Sequence, residues 1–135
     1  MSYKFLEHTA DVKFRAEGLT IEELFVSVAE AMNETIRGDI KILEQKEKAF
    51  EVEGKDSVNL LYNFLEEFLF LLDAENFLVS KIKILEIDGT KLKCVVLGDD
   101  ADNYKFTNDV KAVTYNDLDV GEFEKGFFCE VVLDV

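Results

Sequence analysis

Asn59-Leu60-Leu61-Tyr62-Asn63-Phe64-Leu65-Glu66-Glu67-Phe68-Leu69-Phe70-Leu71-Leu72 (residues 59–72) is the most apolar stretch of the chain. Its length and composition suit a helix that is apolar around most of its circumference. Such a helix must be covered on more than one side. The polar interruptions at Asn59, Asn63, Glu66, Glu67 and Asp73 leave a continuous apolar run well short of the roughly 20 residues a membrane span needs. The stretch therefore reads as the central core helix of a domain that packs it against sheet. Asp56 or Ser57, just upstream, is placed to cap it. Glu67 shares the helical spacing of Leu60, Phe64 and Leu71, so it is expected to be half-buried. A half-buried acid is either paired or functional.

Working outward, the flanking segments alternate with period two. Val12, Phe14 and Ala16 alternate with Lys13, Arg15 and Glu17, a strand with one wet face that ends at Gly18. Thr20 with Glu23 forms a capping box for a first helix, with Leu24, Val28, Ala31 and Met32 on its apolar side and Gly38 beyond its end. Residues 40–54 read as strand at Ile40–Ile42 and Phe50–Val52, with Glu44–Lys48 as a solvated turn between. After Asn76, Ile82–Leu85 and Leu92–Leu97 flank the Asp88-Gly89 hairpin signal. The final third reads as a two-stranded ribbon turning at Glu124-Lys125-Gly126, with Lys111, Val113 and Tyr115 on one face. The order strand, helix, strand, helix, strands predicts an α+β fold: two main helices on mixed or antiparallel sheets. No internal repeat, linker or low-complexity segment divides residues 1–135, so one domain is expected.

The 29 acids against 15 bases give a net charge of −14. Phosphate recognition rests on Lys and Arg, and no basic cluster stands out, so direct nucleic-acid binding is not expected. The balance favours solubility, cations and basic protein partners. Cys94 and Cys129 lie in apolar alternating runs without a CxxC pattern, and read as buried reduced thiols rather than zinc ligands. No signal-peptide pattern opens the chain, and a cytoplasmic location is expected. Asp99, Asp100 and Asp102 invite a calcium-loop reading, but the sixth position from Asp99 is Tyr104 where the EF-hand needs glycine. A solvated acidic loop is expected instead.

Chemistry concentrates at the two ends. Phe5-Leu6-Glu7-His8-Thr9-Ala10-Asp11-Val12 holds the only histidine, flanked by acids. A histidine beside a carboxylate is either a structural hydrogen-bond pair or a proton or cation site. At the other end, Leu133-Asp134-Val135 stops in strand pattern. If the strands bearing Asp11 and Asp134 are neighbours, Asp11, Asp134 and the Val135 α-carboxylate meet at one sheet edge. An all-oxygen set suits calcium, magnesium or manganese rather than zinc.

The chain resembles the archease family. The resemblance rests on residues 5–12, on Asp56 with Leu60-Leu61 and Phe64–Leu71, on Lys111-Ala112-Val113-Thr114-Tyr115, and on Leu133-Asp134-Val135. These four matches run from end to end in order. Many members carry Trp where this chain has Phe64, and His where it has Asn116. The resemblance implies an archease-like sandwich. It also implies a protein that is no free-standing enzyme but the activator of an RtcB-type RNA-splicing ligase. That ligase joins a 2′,3′-cyclic phosphate or 3′-phosphate end to a 5′-hydroxyl, using GTP, manganese and a guanylylated histidine of its own. The archease promotes guanylylation and multiple turnover in tRNA splicing and RNA repair. By the motif match, Asp11, Asp134 and Val135 would hold a divalent cation (calcium, manganese or magnesium), with His8, Lys111, Glu67 and Asp56 as functional polar residues. Lys111 could meet a phosphate or pair with Asp11 or Asp134. Competing readings are a small metal-dependent hydrolase with His8 as base, and a metal-independent, chaperone-like interaction module. Oligomeric state is open.

The terminal-carboxylate reading has a direct test. We predict that appending a few residues after Val135 lowers divalent-cation affinity in calorimetry. An unaltered affinity would remove Val135 from the ligand set.

Overall fold

A computed structural model describes residues 2–6, 12–106, 110–115 and 118–135. Among the described residues, eight strands and two helices follow in the order β1 (Ser2–Leu6), β2 (Val12–Gly18), α1 (Ile21–Arg37), β3 (Lys46–Glu53), α2 (Ser57–Glu75), β4 (Phe77–Asp88), β5 (Lys91–Asp100), β6 (Ala112–Val113), β7 (Asp119–Phe123) and β8 (Gly126–Asp134). A single 3-10 turn, Ala101–Asn103, follows β5. The strands form two sheets. The first runs β1-β2-β8-β6, with β7 also on β8; the second runs β3-β5-β4. Every pairing is antiparallel. The fold is thus α+β, as expected, with antiparallel rather than mixed sheets.

Both helices touch both sheets. The core is one continuous cluster that joins Phe14, Val131 and Leu133 of the first sheet to Leu92, Cys94 and Val96 of the second through Phe25, Met32, Phe64 and Phe68. Phe64 is fully buried, and its ring lies 5.5 Å from Phe25, 6.2 Å from Phe50 and 5.1 Å from Phe68. Aromatic contacts of this kind add to the burial energy of each ring. The apolar circumference of residues 59–72 is explained by this placement between layers.

The caps read from sequence are present. Thr20 Oγ1 accepts from Glu23 N at 3.1 Å, and Glu23 Oε2 accepts from Leu19 N at 2.8 Å. Asp56 Oδ1 accepts from Asn59 N at 2.8 Å. Gly38 closes α1 at φ +70°, a conformation that favours glycine, and its N–H donates to Glu34 O at 2.7 Å.

Three local readings change. Glu44–Lys48 is not one solvated turn: residues 38–45 hold no strand, Ile42 is buried, and Lys46 already opens β3 opposite Gly98. Backbone pairing with β5 outweighs the local polarity of Lys46-Glu47-Lys48. The acidic loop is solvated only in part: Gly98–Asp100 completes β5 and Asp99 is only 5% exposed, while Asp102 and Asn103 are exposed. Lys111, Val113 and Tyr115 do not share a face. Only Ala112–Val113 pairs as strand; Val113 is buried while Lys111 and Tyr115 are exposed.

The structure also shows a repeat that composition hides. Glu17-Gly18-x-Thr20 leads into α1, and Glu53-Gly54-x-Asp56 leads into α2. Each glycine ends or follows a strand, each cap follows two residues later, and the leucine six residues past the glycine lies over it. A Cβ on Gly18 would stand 2.4 Å from Leu24 N, and one on Gly54 would stand 2.4 Å from Leu60 N. The helices start directly against these backbones, so any side chain there must push a helix away. We predict that Gly54→Ala destabilises the fold by about 1–3 kcal/mol, the usual cost of overpacking a close contact. Urea unfolding checks this, and an unchanged midpoint would contradict it.

Candidate functional site

The antiparallel pairing of β2 with β8 brings the two ends of the described chain together. The register runs from Gly18↔Phe127 to Val12↔Leu133. The start of β2 therefore meets the end of β8, the adjacency on which the sheet-edge reading depended. On the other side of β8, Ala112 pairs with Asp134 and Val113 with Leu133. Lys111 N donates to Asp134 O at 2.7 Å, and Thr114 N donates to Val132 O at 3.2 Å. Asp134 is exposed, so its carboxylate is available to solvent, while Val135 packs partly against the core. One sheet end thus gathers Asp134, Val135 and the Lys111 backbone. His8 and Asp11 lie outside the described residues, as does Asn116.

Asp56 and Glu67 are placed differently. Asp56 is the N-cap of α2, with its carboxylate engaged by Asn59 N. Glu67 is half-buried on α2, as its spacing predicts. Desolvation pushes its pKa up, and the negative charge of Glu75, two turns on, adds to the effect. Glu75 in turn pairs with Lys48 of β3 at 2.6 Å.

Tyr115 carries more structure than its position implied. The residue is 51% exposed, yet its ring stacks on Tyr62 of α2, with centroids 4.2 Å apart and planes at 15°. Its hydroxyl accepts from Asn59 Nδ2. Asn59 Oδ1 accepts from Lys55 N at 3.0 Å, and Asn63 Nδ2 donates to Glu53 O at 2.8 Å. The segment after Lys111 is therefore held by β8 on one side and by the first turns of α2 on the other. In the sequence Asn59 reads only as a polar interruption of the core helix, and Tyr62 carries no functional signal. The available signal was that Asn59, Tyr62, Asn63 and Glu66 form a polar stripe at i, i+3, i+4 and i+7 on an otherwise apolar helix.

Among the described residues no group of three or more His, Cys, Asp or Glu is arranged to hold a metal ion. Asp134 and the Val135 carboxylate are oxygen donors of the kind hard cations prefer, but they are only part of the proposed set. Cys94 and Cys129 are free and buried, and burial pushes both thiols up to about 12, so neither offers a thiolate. Among the described residues no helix is long and apolar enough to cross a membrane.

The profile of the Archease protein family (MTH1598/TM1083) matches residues 3–135. The archease of Pyrococcus furiosus is 37% identical, over 98% of this chain and 98% of its own length. That of Methanopyrus kandleri is 34% identical, over the whole of both chains. Among solved structures, Protein 1598 of Methanobacterium thermoautotrophicum superposes with a TM-score of 0.82 at 31% identity, covering 98% of each chain. A Thermotoga maritima protein described as an archease and possible chaperone superposes at 0.70 with 20% identity, covering 98% of this chain and 96% of its own, a likeness of fold.

The acidic end of β5 sets a pH dependence of stability. Asp99 accepts from the Tyr104 hydroxyl at 2.8 Å, from Asp100 N at 2.8 Å and from Asn103 Nδ2 at 3.4 Å. These bonds, the Tyr104 one foremost, hold its pKa below the ordinary carboxylate value. The folded state thus keeps Asp99 ionised where the unfolded chain already binds a proton. Its stabilising contribution is complete above the unfolded pKa of about 3.9 and is lost as pH falls through the folded value. The stability difference between wild type and Asp99→Asn, followed by urea unfolding, is expected to be constant near neutrality and to shrink below about pH 4. A gap that widens on acidification would refute the assignment.

Proposed function

The chain belongs to the archease family, and we propose that it activates an RtcB-type RNA-splicing ligase through a divalent-cation site at the β2–β8 sheet end. In this reading the protein is a cofactor of the ligase, promoting its guanylylation with GTP and its multiple turnover, and is not itself the catalyst. The observation that carries the site is the register of β2 against β8, with β6 on the far side. It supports a cluster in which Asp134 and the Val135 carboxylate, with Asp11, hold the cation. When bound, the cation would supply positive charge at an otherwise acidic tip.

The chain's own residues have separate tasks in this proposal. Asp134 is held at its backbone by Lys111 N, so its carboxylate is presented from a strand rather than from a loose end. The Tyr115–Tyr62 stack and the Asn59 bond anchor the segment that carries Lys111. In this reading the Lys111 ammonium meets a phosphate or balances the acids. A net charge of −14 favours approach to a basic surface of the ligase. His8 belongs to the same proposal as a rim residue. Asp56 serves as a helix cap, and Glu67 is proposed as a partner-facing acid of α2.

The decisive experiment is multiple-turnover ligation by the RtcB-type ligase of the same organism. This protein is supplied below stoichiometry, wild type beside Asp134→Asn. Wild type is expected to raise turnover and the variant to lose most of that effect. If both raise turnover, the protein is an activator that needs no acid site, which is the chaperone-like reading. If neither does, the activator reading fails, and metal-dependent hydrolysis by the isolated protein is the next assay. Asp11→Asn is expected to weaken calcium or manganese binding in calorimetry with the far-UV spectrum unchanged. Loss of that spectrum would make Asp11 structural.

A further inference from the structure

Among the described residues, Asp134 is paired from one side only. The register of β2 on β8 ends at Val12↔Leu133, and the strand partner of Asp134 is Ala112 of β6. The Asp134 carbonyl accepts from Lys111 N at 2.7 Å, and Thr114 N donates to Val132 O at 3.2 Å. Where Asp134 sits is therefore tied to where residues 111–114 sit. β6 is two residues long, and so short a pairing is marginal without further support.

The support comes from α2. The Tyr115 ring lies flat on Tyr62, and the Tyr115 hydroxyl accepts from Asn59 Nδ2. Asn59 and Tyr62 are three residues apart, on one face of the helix. Each is braced by the residue four further on. Asn59 Oδ1 accepts from Asn63 Nδ2 at 3.4 Å and from Lys55 N at 3.0 Å, which leaves Nδ2 turned to Tyr115. Asn63 Nδ2 also donates to Glu53 O at the end of β3, at 2.8 Å. The Tyr62 hydroxyl donates to Glu66, the main cause that raises its pKa. Other faces of α2 place Leu60, Leu61, Phe64 and Leu65 in the core, so this bracket stands on an element that packing holds still.

The two contacts on Tyr115 complement each other. A stack alone permits sliding of one ring over the other. A single hydrogen bond to a half-exposed hydroxyl competes with water. Together they set both the distance and the direction of the Tyr115 side chain, two residues beyond the end of β6.

We propose that Asn59 and Tyr62 are positioning residues for the sheet-end site. They clamp Tyr115, and through residues 111–114 they set the place of Asp134 relative to Lys111. The functional part of this inference rests on the ligase-activator reading, and the structural part does not.

Hydrogen exchange on the full chain, read by NMR, tests the structural part. The Lys111 and Thr114 amides are expected to be protected in wild type. Asn59→Leu and Tyr62→Leu are each expected to speed their exchange by about tenfold or more, with the amides of the β2–β8 pairing unchanged. Asn59→Asp is the conservative variant. Its carboxylate still accepts from Lys55 N and Asn63 Nδ2, and the Tyr115 hydroxyl donates to it, so wild-type protection is expected to return. If Asn59→Leu does not fold, Tyr115→Leu removes the clamp without altering α2 and supplies the same comparison. Multiple-turnover ligation tests the functional part: the leucine variants are expected to lose most of the stimulation and Asn59→Asp to keep it. The positioning role is overturned by an unprotected wild type, by slow exchange retained in the leucine variants, or by faster exchange spread across the β2–β8 pairing, which marks a role in global stability. Faster local exchange with undiminished stimulation overturns the functional part. A wild type that does not stimulate ligation defeats the activator reading and the functional part with it, and exchange still decides the positioning.

Discussion

The pairing of β2 with β8 is the constraint on which the remaining structure rests. These strands come from opposite ends of the chain and lie side by side in the middle of the first sheet. Their inner faces contribute Phe14, Ala16, Cys129, Val131 and Leu133, all fully buried. α1 packs on this surface, and β1, β6 and β7 take their places by pairing with one or other of the two strands. Contacts so distant in sequence carry a large loop-closure cost, so they form only when the apolar surface they bury repays it. The same pairing sets the sheet end where Asp134, Val135 and Lys111 gather. Stability and the candidate function therefore share one structural cause.

The second sheet is attached by the helices rather than by strand pairing. Each helix starts on a glycine that lets its first turn lie against the strand before it. The two connections are alike in sequence and geometry, and both helices run on to touch the opposite layer. The exposed face of the second sheet is laced with ion pairs, among them Lys83–Glu47 and Lys93–Glu51. Pairs this exposed contribute little to stability. They do match many of the chain's bases with acids, which leaves the surplus negative charge to dominate the remaining surface.

The local grammar of the chain was legible from residues alone. Helix caps at Thr20 and Asp56, the stop at Gly38, the Asp88-Gly89 hairpin and the core role of residues 59–72 all follow from short-range chemistry, and the structure contains each of them. The readings that changed depended on distant partners. Lys46 is in a strand because β5 lies beside it, and Asp99 is buried because Tyr104 and Asn103 fold back on it. Tyr115 lies beyond the strand, where its ring stacks on Tyr62 of a different element.

By itself, then, the sequence determined the two helices and their caps, the order of helices and main strands, the membership of an α+β class and the motifs that mark the family, because these depend on spacing and on neighbours within a few residues. Only the tertiary structure decided that β2 and β8 are adjacent, that Lys111 bonds to Asp134, and that Tyr115 stacks on Tyr62 of α2. Strand order is set by which apolar faces bury together, and side-chain period alone does not say which strand meets which.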